Sequence, residues 1–184
     1  MALLPNPSQC PGLQNPGVFT SPNLSTNITI DAKSVIQRIS CLASSSAPLL
    51  AIAVLRTVAN AWCCAARFGV RGTHCRLGCR SGEDNLTHYL VCPVLMDPIR
   101  RLVPQFNRRD ATAWPEYIML VAEDVCYSGD GIVLAGIACN IALSVYNAVR
   151  CGSASDADNL AQARLRFLAK ADVRIRTALG RIVF

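Results

Sequence analysis

Within eighteen residues the chain places two thiols, an imidazole and a third thiol: Cys75, Cys79, His88 and Cys92 in CRLGCRSGEDNLTHYLVCP, a C-x3-C-x8-H-x3-C spacing. This is a complete tetrahedral set for Zn2+, which takes thiolate sulfur and imidazole nitrogen at four corners. Such ligands come as two pairs, one from a short turn and one from a helical turn. Gly78 lets the backbone fold tightly between Cys75 and Cys79. His88 and Cys92 lie four apart and so share one face of a helix, leaving Leu86, Tyr89 and Leu90 to pack beneath the site. The pattern constrains the fold strongly, because the free energy of binding the metal is also folding free energy. Four protein donors leave no open position for a water, so the site reads as structural rather than catalytic. His74 neighbours Cys75, but its offset from Cys79 suits a ligand less well, and it reads as an exposed or outer residue.

Length and composition decide what surrounds this cluster. A chain of 184 residues is enough for one domain of ordinary size, or a domain with a tail. An apolar fraction of 52% and a mean hydropathy of +0.31 supply a real core. Ten cysteines raise the question of disulfides, which need an oxidising compartment. The N-terminus MALLPNPSQCPG has no basic region and only a short apolar run, so it does not read as a secretory signal. Cys41, Cys63, Cys64, Cys126, Cys139 and Cys151 stand in apolar helical surroundings, where free cysteine behaves as a small hydrophobe. The expectation is an intracellular, reducing compartment, nuclear or cytoplasmic.

Residues 1–29 are rich in Pro, Ser and Asn without apolar periodicity, and read as a disordered tail. From 30 to 184 the pattern is helical. Ile30 to Leu42 forms a short helix with Asp31 at its N-cap and Val35, Ile36, Ile39 and Leu42 at helical spacing. Pro48 starts a second helix running to about Phe68, with Leu49, Ile52, Leu55, Val58, Ala59 and Trp62 as its apolar face. Gly69 and Gly72 end it. Shorter pieces follow over Val94 to Val103, limited by Pro98 and Pro104, and around Pro115 to Val125. Tyr127 to Gly131 carries a turn signal.

Ile132 to Val149 is the most apolar segment, close to the ~20 residues that cross a bilayer. Asn140, Ser144 and Asn147 interrupt it, which favours a buried core helix over a membrane span. Gly152 stops it, and Ser155 or Asp156 caps a last helix from about Ala157 to Leu179. The fold class expected is mainly α: a small helical domain with a Cys3His zinc-binding loop and helix at 75–92 and the tail at 1–29.

The last helix is strongly basic. Arg164, Arg166, Lys170, Arg174 and Arg176 are candidates for contacts with a nucleic-acid backbone, RNA or DNA, which would weaken as salt rises. A solvated helix face is the plainer reading, and a formal net charge of +6 agrees with either. Cys63 and Cys64, adjacent on a helix, would face different directions and read as core.

Together the cluster CRLGC…THYLVCP and the preceding VANAWCCAARFG resemble the C-terminal cysteine-histidine region that follows the reverse transcriptase in non-LTR retrotransposon polyproteins. There, a helix bearing a tryptophan leads into a cysteine pair, an acidic stretch and a His-Cys pair ending in proline. Cys75, Cys79, His88 and Cys92 match the ligands, Glu83 and Asp84 the acidic stretch, and Pro93 the end; the resemblance spans about Leu55 to Pro93. It implies a small zinc-binding element that contributes to nucleic-acid engagement. The family's polymerase is not implied, because the paired aspartates such an enzyme needs are missing and Asp97, Asp110, Glu116, Glu123 and Asp124 form no joined motif. The expectation is therefore a non-enzymatic domain without a small-molecule substrate. The alternative is a membrane-associated or helical protein-interaction module, against whose lipid-facing form Arg56 argues.

Overall fold

The computed structural model describes residues 31–44, 48–103, 114–120, 129–152, 156–171, 175–178 and 180. The expected tail at 1–29, Cys126, Ser155 and Arg174 lie outside them. Among the described residues the chain is mostly helical and has no strand; an isolated antiparallel bridge pairs His74 with Glu83.

Helix α1 (Ala32–Ser44) starts where a cap dictates: the Asp31 carboxylate accepts the backbone N–H groups of Lys33 (3.1 Å) and Ser34 (3.3 Å). Helix α2 (Pro48–Val58) is shorter than its apolar run suggests and ends well before Phe68. Asn60 takes φ 49°, and the backbone N–H groups of Ala61 and Asn60 return to the carbonyls of Arg56 (2.7 Å) and Thr57 (3.0 Å). This is a Schellman ending with asparagine in the left-handed position. Trp62 therefore leaves the helix and doubles back, its indole N–H donating to Thr57 Oγ1 at 2.9 Å.

The buried face of α2 also differs from the one expected. Leu50, Ala51, Ala53, Val54 and Thr57 are buried, whereas Leu49, Ile52 and Leu55 stand exposed. Both faces are apolar in sequence, and close packing decides between them. On the facing helix, a Cβ at Gly136 would lie 3.0 Å from Leu50 Cβ and 3.2 Å from Leu42 Cδ1. The backbones approach at a glycine, and the small side chains of α2 line the side that can come near.

That facing helix is α6 (Gly129–Arg150), whose first turn absorbs the Gly129 to Gly131 part of the expected turn. Val133 to Leu143 are buried without interruption, as are Val145 and Tyr146. Helices α1, α2, α4 (Pro93–Leu102), α5 (Trp114–Ile118) and α7 (Ala157–Ala171) all pack against it. Gly131–Arg150 has the length and apolarity of a membrane span, but 72% of its most apolar window is covered by these neighbours. A helix hydrophobic all round must be enclosed on all sides, and here protein encloses it.

Its one buried amide is spent on the neighbours. Asn140 Nδ2 donates to the Leu49 carbonyl (3.0 Å) and its Oδ1 accepts from Arg164 Nε (2.7 Å), tying α2 and α7 to α6. Asp156 caps α7 by accepting from the backbone N–H groups of Asp158 and Asn159. The helix is described to Ala171, with helical residues again at 175–178. Helix α4 continues through Pro98, whose missing N–H falls to the exposed first-turn residue Val94. Of the cysteines expected in apolar surroundings, Cys64 and Cys139 are buried and Cys63 partly so, but Cys41 and Cys151 are exposed at the surface.

Candidate metal centre

Between α2 and α4 the chain makes a loop with little regular structure, and several of its turns have a local cause. A 3₁₀ helix (Ala65–Phe68) ends on Gly69 in the left-handed conformation at φ 76°. The chain then runs out through Thr73 and back through Asp84, linked by Cys75 N–H to the Gly82 carbonyl (3.0 Å) and Asp84 N–H to the Thr73 carbonyl (2.7 Å). At its tip Gly78, at φ 79°, returns its N–H to the Cys75 carbonyl (3.2 Å) and brings Cys79 back beside Cys75.

The second ligand pair comes from a helix boundary rather than one helix face. Asn85 Oδ1 accepts the His88 N–H at 2.7 Å and so nucleates helix α3 (Leu86–Tyr89), which places His88. Cys92 lies beyond α3, as the N-cap residue of α4, with Pro93 in the first turn. Tyr89 and Leu90 are buried beneath the site and Leu86 packs partly against the core, as their spacing predicts.

Cys75, Cys79, His88 and Cys92 converge, each offering one ligand atom, all within 4.8 Å of one another. Cys75 and Cys92 sulfurs stand 3.9 Å apart, against ~3.8 Å for two thiolates on a tetrahedral ion with ~2.3 Å bonds. Cys79 Sγ and His88 Nε2 are 2.9 Å apart, so Nε2 is the ring nitrogen turned into the cluster. The other edge of the ring meets Gly82, where an added Cβ would lie 2.0 Å from His88 Nδ1. Glycine is needed at 82 for that close approach.

The electrostatics fit a cation. Burial raises the Cys75 thiol, and burial with the nearby Cys75 charge raises Cys92. Burial also acts against the Cys79 thiolate, but hydrogen bonds from the Ser81 hydroxyl and backbone N–H, with those of the Cys92 and Cys75 thiols, together outweigh it and lower this thiol. Burial holds His88 below its usual range, which keeps the imidazole neutral and able to ligate. Three sulfurs this close are poorly stable as thiolates alone, and a positive ion among them removes the conflict. Soft and borderline donors in a closed set of four suit a soft or borderline metal ion.

Beneath the ligands lies a polar lock that the motif does not reveal. The Asp84 side chain, fully buried, accepts from Tyr89 Oη (2.8 Å) and Arg76 Nε (2.9 Å), while the Arg76 backbone N–H donates to Tyr89 Oη (3.1 Å). Tyr89 then stacks into the core, its ring 4.6 Å from Tyr146 of α6 and 6.1 Å from Trp62. The tryptophan expected on a helix before the cysteines thus acts from a turn. In sequence Asp84 stands out only as an acidic neighbour of Glu83, and Asn85 only as a residue type that caps helices.

Other sequence candidates fall elsewhere. His74 is exposed and is not among the converging ligands. Arg166, Lys170 and Arg176 are exposed on the C-terminal helical segments. Arg164 is half-buried, bonded to Asn140 and lying 4.9 Å over the Phe167 ring. Near the metal cluster, Arg67, Phe68, Val70, Arg71 and Arg80 are exposed, with the Arg67 guanidinium 5.9 Å from the Phe68 ring centre.

Fold and site together define a helical protein with a Cys3His cluster able to hold a metal ion. No protein-family model, no curated protein and no solved structure matches the chain.

Proposed function

We propose that this chain is a non-catalytic, structural zinc-binding domain of the kind its sequence resembles, the C-terminal region of non-LTR retrotransposon polyproteins, and that it engages nucleic-acid backbones. The observation that carries the reading is the convergence of Cys75, Cys79, His88 and Cys92 within 4.8 Å. Zinc held there neutralises the thiolates and clasps the loop to α4, and with four protein donors it has no position for a reacting water. The compartment that goes with this reading is a reducing one, nuclear or cytoplasmic, where thiols stay available as ligands. Backbone binding is supported by Arg166, Lys170 and Arg176, and near the metal loop by Arg67, Arg71 and Arg80 with the exposed Phe68 ring.

Elemental analysis of protein purified without chelator tests the metal directly: one zinc per chain is expected, and none would overturn the reading. Titration with single-stranded RNA and DNA at several salt concentrations tests the partner. Binding should weaken steeply with salt; no binding at low salt would remove nucleic acid from the reading. A second reading, a helical protein-interaction module, is favoured by the exposed Leu49, Ile52 and Leu55 of α2. Sedimentation of the wild type beside Ile52→Glu and Leu55→Glu tests it: an assembly that dissociates on substitution supports it, and monomers throughout reject it.

A further inference from the structure

We propose that Asp84 is the positioning residue of the metal centre: its carboxylate joins the Cys75–Cys79 turn to the His88 helix and so sets the affinity and ion selectivity of the site. This rests on the reading of Cys75, Cys79, His88 and Cys92 as metal ligands.

The geometry is specific. Arg76 directly follows Cys75 and Tyr89 directly follows His88, so both residues that grip Asp84 are chain neighbours of ligands. The backbone of Asp84 is held as well, by Thr73 on one side (2.7 Å) and by the Ala66 N–H on its carbonyl (3.1 Å). The Arg76 N–H to Tyr89 Oη bond closes the ring of contacts at 3.1 Å. The two side chains that grip the carboxylate, Arg76 and Tyr89, thus bear on where Cys75 and His88 stand.

A carboxylate removed from water is strongly destabilising unless it is paired and hydrogen-bonded, and Asp84 is both. It is outside the converging ligand set, so its charge serves the metal through its neighbours. A connection of this kind orients the ligands as outer partners do in other metal sites. It also limits how far the two ligand pairs can spread. Thiolate-rich sites accept soft ions readily, and a connection that limits spreading acts against the larger Cd2+ more than against Zn2+.

The test compares full-length wild type, Asp84→Asn and Tyr89→Phe by chelator competition with Zn2+ and with Cd2+, alongside circular dichroism of each metal-free chain. Asp84→Asn removes the charge that pairs with Arg76 and turns one of the two acceptors into a donor, and Zn2+ affinity should fall about ten- to a hundredfold. Cd2+ affinity should fall less, moving the ratio towards cadmium. Tyr89→Phe keeps the Arg76 pair and should shift the ratio the same way by less. Combining both changes should give less than the sum of the two, because they act on one carboxylate. A loss of helicity alone lowers both affinities by one factor, so parallel falls, or none, overturn the proposal. If Asp84→Asn does not fold, the Tyr89→Phe ratio decides. Wild type that binds neither ion overturns the ligand reading itself, an outcome distinct from wild type that binds both and ignores residue 84.

Discussion

Helix α6 and the metal loop bury their residues by different physics. Along α6, the buried run from Val133 to Leu143 is held, apart from the two hydrogen bonds of Asn140, by area removed from water and by close packing. Between Thr73 and Cys92 the described structure is a single bridge, a four-residue helix and a set of named contacts: Asp84 with Arg76 and Tyr89, Asn85 with His88, and the ligand cluster. Helix α6 should fail by degrees, as volume is lost. The loop should fail at one atom. The regions meet where Tyr89 packs on Tyr146 and Trp62, so the comparison can be broken there.

The largest effect is expected from His88→Ala. Structural zinc contributes about 10–16 kcal/mol in small zinc-dependent folds, so losing one donor should abolish stoichiometric zinc. Amide exchange should lose protection over 74–92 while α6 stays protected; equal loss in α6 would show the two regions to be one cooperative unit. Next is Leu134→Ala, fully buried in the N-terminal half of α6. A cavity of this kind costs about 2–5 kcal/mol, read as a lower urea midpoint, with zinc content unchanged.

Gly82→Ala sharpens the contrast, because it adds one methyl beside the ligand ring at an otherwise partly exposed position. Zinc affinity should drop about tenfold or more, equivalent to ~1.4 kcal/mol, with the urea midpoint of the metal-free chain little changed. The smallest effect, over the one pH unit from 9 to 10, is alkaline. Burial pushes the Cys139 thiol from 9.0 up to about 12. The unfolded chain therefore releases this proton first: stability is full below pH 9 and falls as pH rises towards 12, by about 1.4 kcal/mol per pH unit for one such group. Urea midpoints at pH 8 and pH 10 measure the fall, and Cys139→Ala should flatten it.

Much of the molecule was legible in the chain because its signals are local. The spacing of Cys75, Cys79, His88 and Cys92 marked the four residues that converge, Asp31 announced its cap and Ser155 or Asp156 the cap of α7, and the length and apolarity of 132–149 marked the central helix. Errors arose where a local signal had two solutions. The run from Pro48 to Phe68 reads as one helix until Asn60 is recognised as a left-handed ending, and α2 offers two apolar faces of which Leu49, Ile52 and Leu55 are the wrong one.

By itself, then, the sequence determined the Cys3His cluster, the helical class and the helix that must be enclosed, since each follows from residue type and spacing along one stretch of chain. Tertiary structure alone decided which face of α2 meets Gly136, that Gly82 must leave room for His88, and that a buried Asp84 links Arg76 to Tyr89. Those outcomes depend on which atoms approach across separate segments, and close approach between segments is set by packing in three dimensions rather than by any period in the chain.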